Sequence, residues 1–155
     1  MENILFTIFD IFNFGWVVFL WGFTLKNYSA LPERIPVHFD MQGKADGFGG
    51  RVFAFLMPVL ALGMYGLFTY GVRYPEGTKF PVEITNENRG TQFLIMKIGL
   101  RILFVILAVI FTNIQDYMFR YAADEKAKPR ISFAAIFLSV VLFTPALLFI
   151  AHLFK

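Results

Sequence analysis

Four long apolar stretches constrain the fold of this chain more than any other feature. They cover residues 4–25, 52–72, 93–114 and 131–153. Each is close to the ~20 residues that a helix needs to cross a ~30 Å hydrocarbon layer. Since backbone polar groups in lipid must bond within their own segment, these stretches are predicted to be α-helices. The predicted fold is all-α, a polytopic integral membrane protein in which residues 1–155 form a single domain, a four-transmembrane-helix bundle.

The composition agrees with a bilayer as the solvent of these helices. The chain is 57% hydrophobic and contains 21 phenylalanines, which is more apolar surface than a globular chain of this length usually buries. The lipid bilayer is therefore the first expected partner. Nucleic acid is not expected, because the net charge is only +3 and the basic residues are scattered among loops. The absence of cysteine excludes disulfides, thiolate metal sites and thiol catalysis.

The distribution of basic residues predicts an orientation. Four spans place the N-terminus, the second loop and the C-terminus on one side of the membrane, here side A, and the first and third loops on the other, side B. Side B carries eight basic residues: Lys26, Arg34, Lys44, Arg51, Arg120, Lys126, Lys128 and Arg130. Side A carries four, or six if Lys97 and Arg101 reach outward: Arg73, Lys79, Arg89 and Lys155. The positive-inside rule therefore favours a cytoplasmic side B.

Charged residues inside two of the spans form a predicted intramembrane polar cluster. At ~1.5 Å per residue, Asp10 lies ~9 Å from side A, between Lys97 at ~6 Å and Arg101 at ~12 Å. We therefore expect Asp10 to pair with Arg101, with Lys97 or with both, and His152 to emerge on the same side and join them. Two interpretations stay open: an ion- or proton-responsive pocket, and a structural pair that fixes helix packing. The second is favoured, because paired charges in membranes need not move anything.

The first loop, residues 26–51, is predicted to be folded and docked on the helix ends. Pro32 and Pro36 push the residues before them toward extended geometry, so "IPVHF" should run as an extended strip. The glycines at 43, 47, 49 and 50 then suit tight-turn or positive-φ positions. Phe39 and Phe48 are the expected aromatic anchors.

A metal site in this loop is not expected. His38, Asp40 and Asp46 offer three ligands with no second histidine, which is a thin set for zinc or manganese. A calcium loop also fails, since Lys44 occupies a position that needs an oxygen ligand. The alternative is that these polar side chains cap the turns of the loop itself. No cofactor is expected.

The stretch "LPERIPVHFDMQGKADGFGGR" resembles the first loop of the membrane family that includes the SdpI-type bacterial toxin-immunity proteins. The resemblance covers residues 4–74 and is implied to extend to "ITNENRG" in the second loop; Asp40 stands where that family often has Asn. The matching positions are Leu31, Pro32, Ile35, Pro36, His38, Phe39, Asp40, Gly43, Asp46, Phe48, Gly49 and Arg51. It implies a multi-pass protein of the bacterial inner membrane that protects the cell against a membrane-acting peptide toxin and helps signal its presence.

Three functions follow from these features. The first is a non-enzymatic binding or immunity-type protein that recognises a peptide or partner membrane protein; its predicted binding residues are His38, Phe39, Asp40, Asp46, Phe48 and Arg51. The alternatives are an accessory subunit of a larger membrane complex and a small ion-coupled transporter, and a homo-oligomer stays open. An enzyme is not expected, because phosphate-cradling, zinc-helix and nucleophile-elbow motifs are missing from the sequence.

Overall fold

The computed structural model describes residues 2–155, with side chains described from Ile4 onward. Six regular elements are joined by short 3₁₀ segments at Arg51–Phe55 and Pro75–Gly77. The elements are α1 (Glu2–Tyr28), β1 (Arg34–Phe39), β2 (Ala45–Gly50), α2 (Leu56–Arg73), α3 (Arg89–Ala123) and α4 (Phe133–Leu153).

Four helices are long and apolar enough to cross a membrane, as the sequence predicts. Three of the predicted spans lie within helical segments, whereas the fourth, 131–153, begins two residues before α4. Helix α3 is far longer than its apolar run at 93–114. Its 35 residues correspond to ~52 Å at ~1.5 Å per residue. The sequence underestimated the length of α3 for a physical reason. Hydropathy marks only the end of the apolar run, whereas the helix continues through polar residues that pack against other parts of the protein.

The bundle consists of three mutually packed helices with a fourth on the outside. Helices α1, α2 and α3 all contact one another, and α4 packs chiefly against α3. Val17, Phe104 and Ala108 form the buried centre of the three-helix part. Within Phe133–Leu153, by contrast, Ala151 is the one residue that is buried. The surface of α4 is therefore left largely to lipid.

The all-α prediction is only approximate, because the first loop contains a two-stranded antiparallel sheet. The predicted extended strip is β1, and it pairs with β2 from Arg34 opposite Gly50 to Phe39 opposite Ala45, with irregularities around His38. A hairpin of this size is marginal without support from another element. This one packs against α3 and the 3₁₀ segment that follows it.

The predicted turn role is confirmed for Gly43 and is wrong for the loop glycines that lie within β2. Among the described residues only Gly43 has a positive φ, +84°, and it lies in the hairpin turn. Gly47 and Gly49 lie within β2, where the chain passes close to its neighbours. A Cβ at Gly49 would lie 2.8 Å from the Phe53 ring and 3.1 Å from Val37. At these two positions the structure therefore requires the absence of a side chain, and a turn conformation is not involved.

Candidate functional site

The hairpin is seated on the end of α3 that projects from the membrane on side B. Its apolar contact joins Ile35 of β1 to Met118 and Phe119 of α3, together with Leu31 and Ala54. Ile35 is fully buried. The predicted docking of this loop on the helix ends is confirmed, and the seat is the extension of α3 that the apolar run did not mark.

Phe39 is the main aromatic anchor of the hairpin. Its ring centroid lies 4.5 Å from that of Tyr117, 5.6 Å from that of Tyr121 and 6.0 Å from that of Phe133. Beside it, the buried Tyr117 hydroxyl donates a hydrogen bond to the Gly43 carbonyl. One strand and the turn are thus fixed to α3, so the predicted role of Phe39 as an anchor is confirmed.

Asp40 shapes the hairpin turn. Its Oδ1 accepts hydrogen bonds from the backbone N–H groups of Gln42 (3.0 Å) and Lys44 (2.8 Å). Its carbonyl accepts from the Gly43 N–H at 2.9 Å. This is the local side-chain capping of a turn, which leaves one carboxylate oxygen of Asp40 for other partners.

His38 and Asp46 form an exposed pair across the two strands. Nδ1 of His38 lies 2.5 Å from Oδ1 of Asp46, and the side chains are 72% and 49% exposed. Phe48 lies two residues beyond Asp46 on the same strand, opposite Pro36 of β1. It is 48% exposed, so its predicted role as an anchor is wrong. His38, Asp46 and Phe48 together define what we call the hairpin outer face.

Arg51 lies at the junction between the hairpin and α2 and is exposed. Its guanidinium carbon lies 5.3 Å from the ring centroid of Tyr28, at the end of α1, within the range of a cation–π contact. Its backbone N–H donates to the Glu33 carbonyl at 3.0 Å. Arg51 thus ties the base of the hairpin to α1.

A buried polar network below the hairpin escaped the sequence prediction. Gln115, which is fully buried, donates from Nε2 to Thr24 Oγ1 at 3.0 Å and to the Ala54 carbonyl at 2.8 Å. Asn113 exchanges two hydrogen bonds with the backbone of Ile131. The sequence did contain a signal for this network, the polar cluster "TNIQD" at the end of the third apolar run. That cluster was interpreted only as the end of the span.

The loop before α4 is held by a second network. Asp116 accepts from Arg120 Nε at 2.8 Å and from Arg130 Nε at 2.9 Å. Arg120 also donates to the Lys128 carbonyl at 2.9 Å. The hydrogen bond from Arg130 to Asp116, with the attraction between their charges, raises the pKa of Arg130 above its ordinary value. The loop therefore has a defined shape, and Asp116 holds Arg130 in its charged form.

In the membrane-spanning part, the structure brings Asp10 and Arg101 together. Nε and Nη2 of Arg101 each lie 2.8 Å from a carboxylate oxygen of Asp10. Arg101 also donates to the Lys97 carbonyl at 3.1 Å, and its guanidinium carbon lies 4.3 Å from the Phe6 ring centroid. The pairing that the depths predicted is confirmed for these two residues.

Among the described residues, the other two members of the predicted cluster form no ion pair with Asp10. Lys97 contributes its carbonyl, and within residues 2–155 its ammonium group has no recorded hydrogen bond or ion pair. His152 is exposed on the last turn of α4, with Nε2 3.4 Å from Lys155 Nζ. Because α4 lies outside the three-helix part, its last turn reaches the second loop and not Asp10.

In the described part of the chain, groups of three or more His, Cys, Asp or Glu residues placed to hold a metal are lacking. The His38–Asp46 pair therefore stands without a third ligand of these types. Its chemistry is that of a hydrogen-bonded, exposed polar pair beside an exposed aromatic ring.

Comparison with known proteins places the hairpin in a recurrent sequence unit. A family described as "Domain of unknown function (DUF1648)" matches residues 16–62, which include the whole hairpin. An uncharacterized protein of Archaeoglobus fulgidus is 32% identical over 78 residues, which are 45% of this chain and 43% of that protein. The chain thus spans less than half the length of this relative. No solved structure matches the chain.

Proposed function

We propose that this chain is a small non-enzymatic multi-pass protein of the cell membrane that binds a peptide or a partner membrane protein through the hairpin outer face. The observation that carries the proposal is a contrast between two faces of one hairpin. The inner face is fixed by Ile35, Phe39 and the turn at Gly43, whereas the outer face leaves His38, Asp46 and Phe48 exposed.

Physical reasoning supports recognition by this face. A pre-organised surface loses less conformational entropy on binding than a flexible loop, so more of its contact energy appears as affinity. Aromatic residues, phenylalanine among them, are enriched in protein interfaces relative to the rest of the surface, and Phe48 offers such a ring. The match to DUF1648 spans this hairpin, which supports the view that the hairpin is a unit used in several proteins.

Immunity of the SdpI type is the specific form of this proposal. It rests on the resemblance of residues 31–51 to the first loop of that family, and the expected ligand is then a membrane-acting peptide. Expression of the protein in a sensitive host should raise survival in the presence of such a peptide. His38→Ala/Asp46→Ala should abolish the protection at equal protein level in the membrane.

Site-specific crosslinking tests the broader proposal. A photoreactive phenylalanine analogue at position 48 should give a discrete adduct with a partner in the native membrane. His38→Ala/Asp46→Ala in the same chain should reduce that adduct at least fivefold. The matched control places the analogue at Phe137, an exposed position on α4.

The outcomes separate the candidate functions. An adduct at position 48 that depends on His38 and Asp46 supports recognition by the hairpin outer face. Equal adducts at positions 48 and 137, insensitive to the double substitution, would instead favour an accessory subunit held by broad contacts. Lack of any adduct at position 48 would contradict the proposal.

A further inference from the structure

A groove with a volume of about 520 Å³ lies on side B, beside the hairpin turn. It is formed by the hairpin turn, the end of α3 and the loop that leads to α4. Its lining residues are Gln42, Gly43, Lys44, Tyr117, Tyr121, Glu125, Lys126, Ala127, Lys128, Pro129 and Ser132. His38, Asp46 and Phe48 are not among these described lining residues, so the groove is distinct from the surface treated above.

The walls of the groove are held in place. The hydrogen bond from Tyr117 to the Gly43 carbonyl fixes the turn against α3. Pro129 approaches the same glycine, with its Cδ 3.5 Å from where a Cβ would stand. On the far wall, Arg120 holds the Lys128 carbonyl at 2.9 Å. The cavity is therefore part of the folded structure and not a gap between mobile loops.

The residues that line the groove carry more positive than negative charge. Asp116 already binds two arginines, Arg120 and Arg130. Lys44, Lys126 and Lys128 have no ion pair or side-chain hydrogen bond recorded among residues 2–155. Glu125 is the acidic side chain in the lining, so three lysines against one glutamate leave a formal charge of +2.

The start of α4 adds to this field. Ser132 lines the groove and caps α4, its Oγ accepting a hydrogen bond from the Ala135 N–H at 3.2 Å. The positive end of the dipole of this 21-residue helix therefore lies at the edge of the groove, where it favours an anion. The lysines are the main source of attraction, and the helix end acts in the same direction.

The depth of the groove matches that of lipid headgroups. Tyr117 and Tyr121 lie three and seven residues beyond the apolar run that ends at residue 114. At ~1.5 Å per residue they are ~4.5 and ~10.5 Å beyond the end of that run. The headgroup region extends ~5–8 Å beyond the hydrocarbon on each side. Tyr117 therefore lies within the headgroup region and Tyr121 just beyond it, and tyrosines near this depth are typical of the membrane–water interface.

We propose that this groove binds the headgroup of an anionic phospholipid of the surrounding bilayer, with Lys44, Lys126 and Lys128 around the phosphate. A lipid is favoured over a soluble phosphate compound because the groove lies at headgroup depth beside interfacial tyrosines. On a cytoplasmic side B, the groove would face the leaflet in which anionic lipids attract basic groups.

Lipid titration of the full chain in detergent, read by native mass spectrometry, tests the proposal. The wild-type protein should bind phosphatidylglycerol more tightly than phosphatidylcholine with the same acyl chains. Lys44→Gln/Lys126→Gln/Lys128→Gln should lower the affinity for phosphatidylglycerol roughly 100-fold, at about fivefold per lysine near a membrane surface. Glu125→Gln should raise it, which gives a second variant with the opposite sign.

A charge-matched control distinguishes lipid binding in this groove from general electrostatic attraction between the protein and anionic lipid. Arg73→Gln/Lys79→Gln/Lys155→Gln removes the same charge from exposed positions on side A and should keep the preference for phosphatidylglycerol. The proposal is overturned if the groove variant keeps that preference, or if the control loses it equally. It is also overturned if millimolar inorganic phosphate displaces phosphatidylglycerol, because the ligand would then be a soluble phosphate compound. A far-UV circular dichroism spectrum of each variant shows that the helices are intact.

Discussion

At the residue scale, the ion pair between Asp10 and Arg101 is the most consequential contact inside the membrane. Arg101 is nearly buried, with 7% of its side chain exposed, whereas the Asp10 side chain is 49% exposed. A buried charge that loses its partner is strongly destabilising, whereas replacement of a pair by apolar residues can be neutral. The two partners should therefore respond differently to substitution.

We expect Arg101→Leu to lower the free energy of unfolding by about 3–5 kcal/mol, because it leaves the Asp10 carboxylate without its partner inside the membrane-spanning part. Unfolding of the reconstituted protein by increasing SDS in mixed micelles measures this change. Asp10→Asn should cost less, since the amide oxygen still accepts from Arg101. The double variant should cost less than the sum of the two. Additive effects would contradict direct coupling.

These residues show what depth along a helix can and cannot predict. Asp10 lies at a depth between Lys97 and Arg101, so counting residues limited its expected partners to these two cations but did not choose between them. His152 was expected to emerge on the same side of the membrane, but it lies on a helix outside the three-helix part. Depth is a property of sequence, whereas adjacency of helices depends on packing, so His152 could not be excluded from sequence alone.

At the scale of elements, the hairpin depends on close contact at Gly49. We expect Gly49→Ala to destabilise the hairpin by about 1–2 kcal/mol, because the new methyl group overpacks the space beside Val37 and Phe53. Hydrogen exchange of the amides in β1 and β2 measures the effect, and protection should fall.

Gly50→Ala is the matched control, since nothing lies within 4 Å of its Cβ position. It should leave protection of the hairpin within about 0.5 kcal/mol of the wild type, as most exposed substitutions do. Equal loss of protection in the two variants would show that the cost lies in backbone freedom and not in packing.

The sequence predicted only one of the two strands of this hairpin. Two prolines were sufficient to predict the extended geometry of β1, because their effect on the preceding residue is local. The partner strand "ADGFGG" lacks the β-branched residues typical of strands, and its glycines resemble a turn. Glycine is needed in this strand because Val37, His38 and Phe53 lie so close to it. That closeness arises from the tertiary structure and cannot be read from the sequence.

At the scale of the whole molecule, the structure keeps the two ends of the bundle chemically distinct. The hairpin and the loop before α4 meet at one end of α3, and Gln92, near the other end, donates to the carbonyls of Ala151 and Phe154 at the end of α4. The eight basic residues assigned to side B therefore lie together, which is the asymmetry that the positive-inside rule uses.

Cysteine labelling tests the orientation in a chain that has no cysteine of its own. In cells stripped of their wall, we expect a membrane-impermeant maleimide to label Asn86→Cys on side A but not Met41→Cys on side B. Both positions are exposed, so both variants should be labelled after lysis. The reverse pattern would place the hairpin outside the cell.

The continuity of α3 has a mechanical consequence. This helix contains no proline, and Phe39 and Ile35 pack the hairpin against one end of it. The height of the hairpin above the lipid is thus set by a rigid helix and not by a flexible linker. A change in the tilt of α3, in a thinner or thicker bilayer, would therefore move the hairpin and the groove together as a rigid unit.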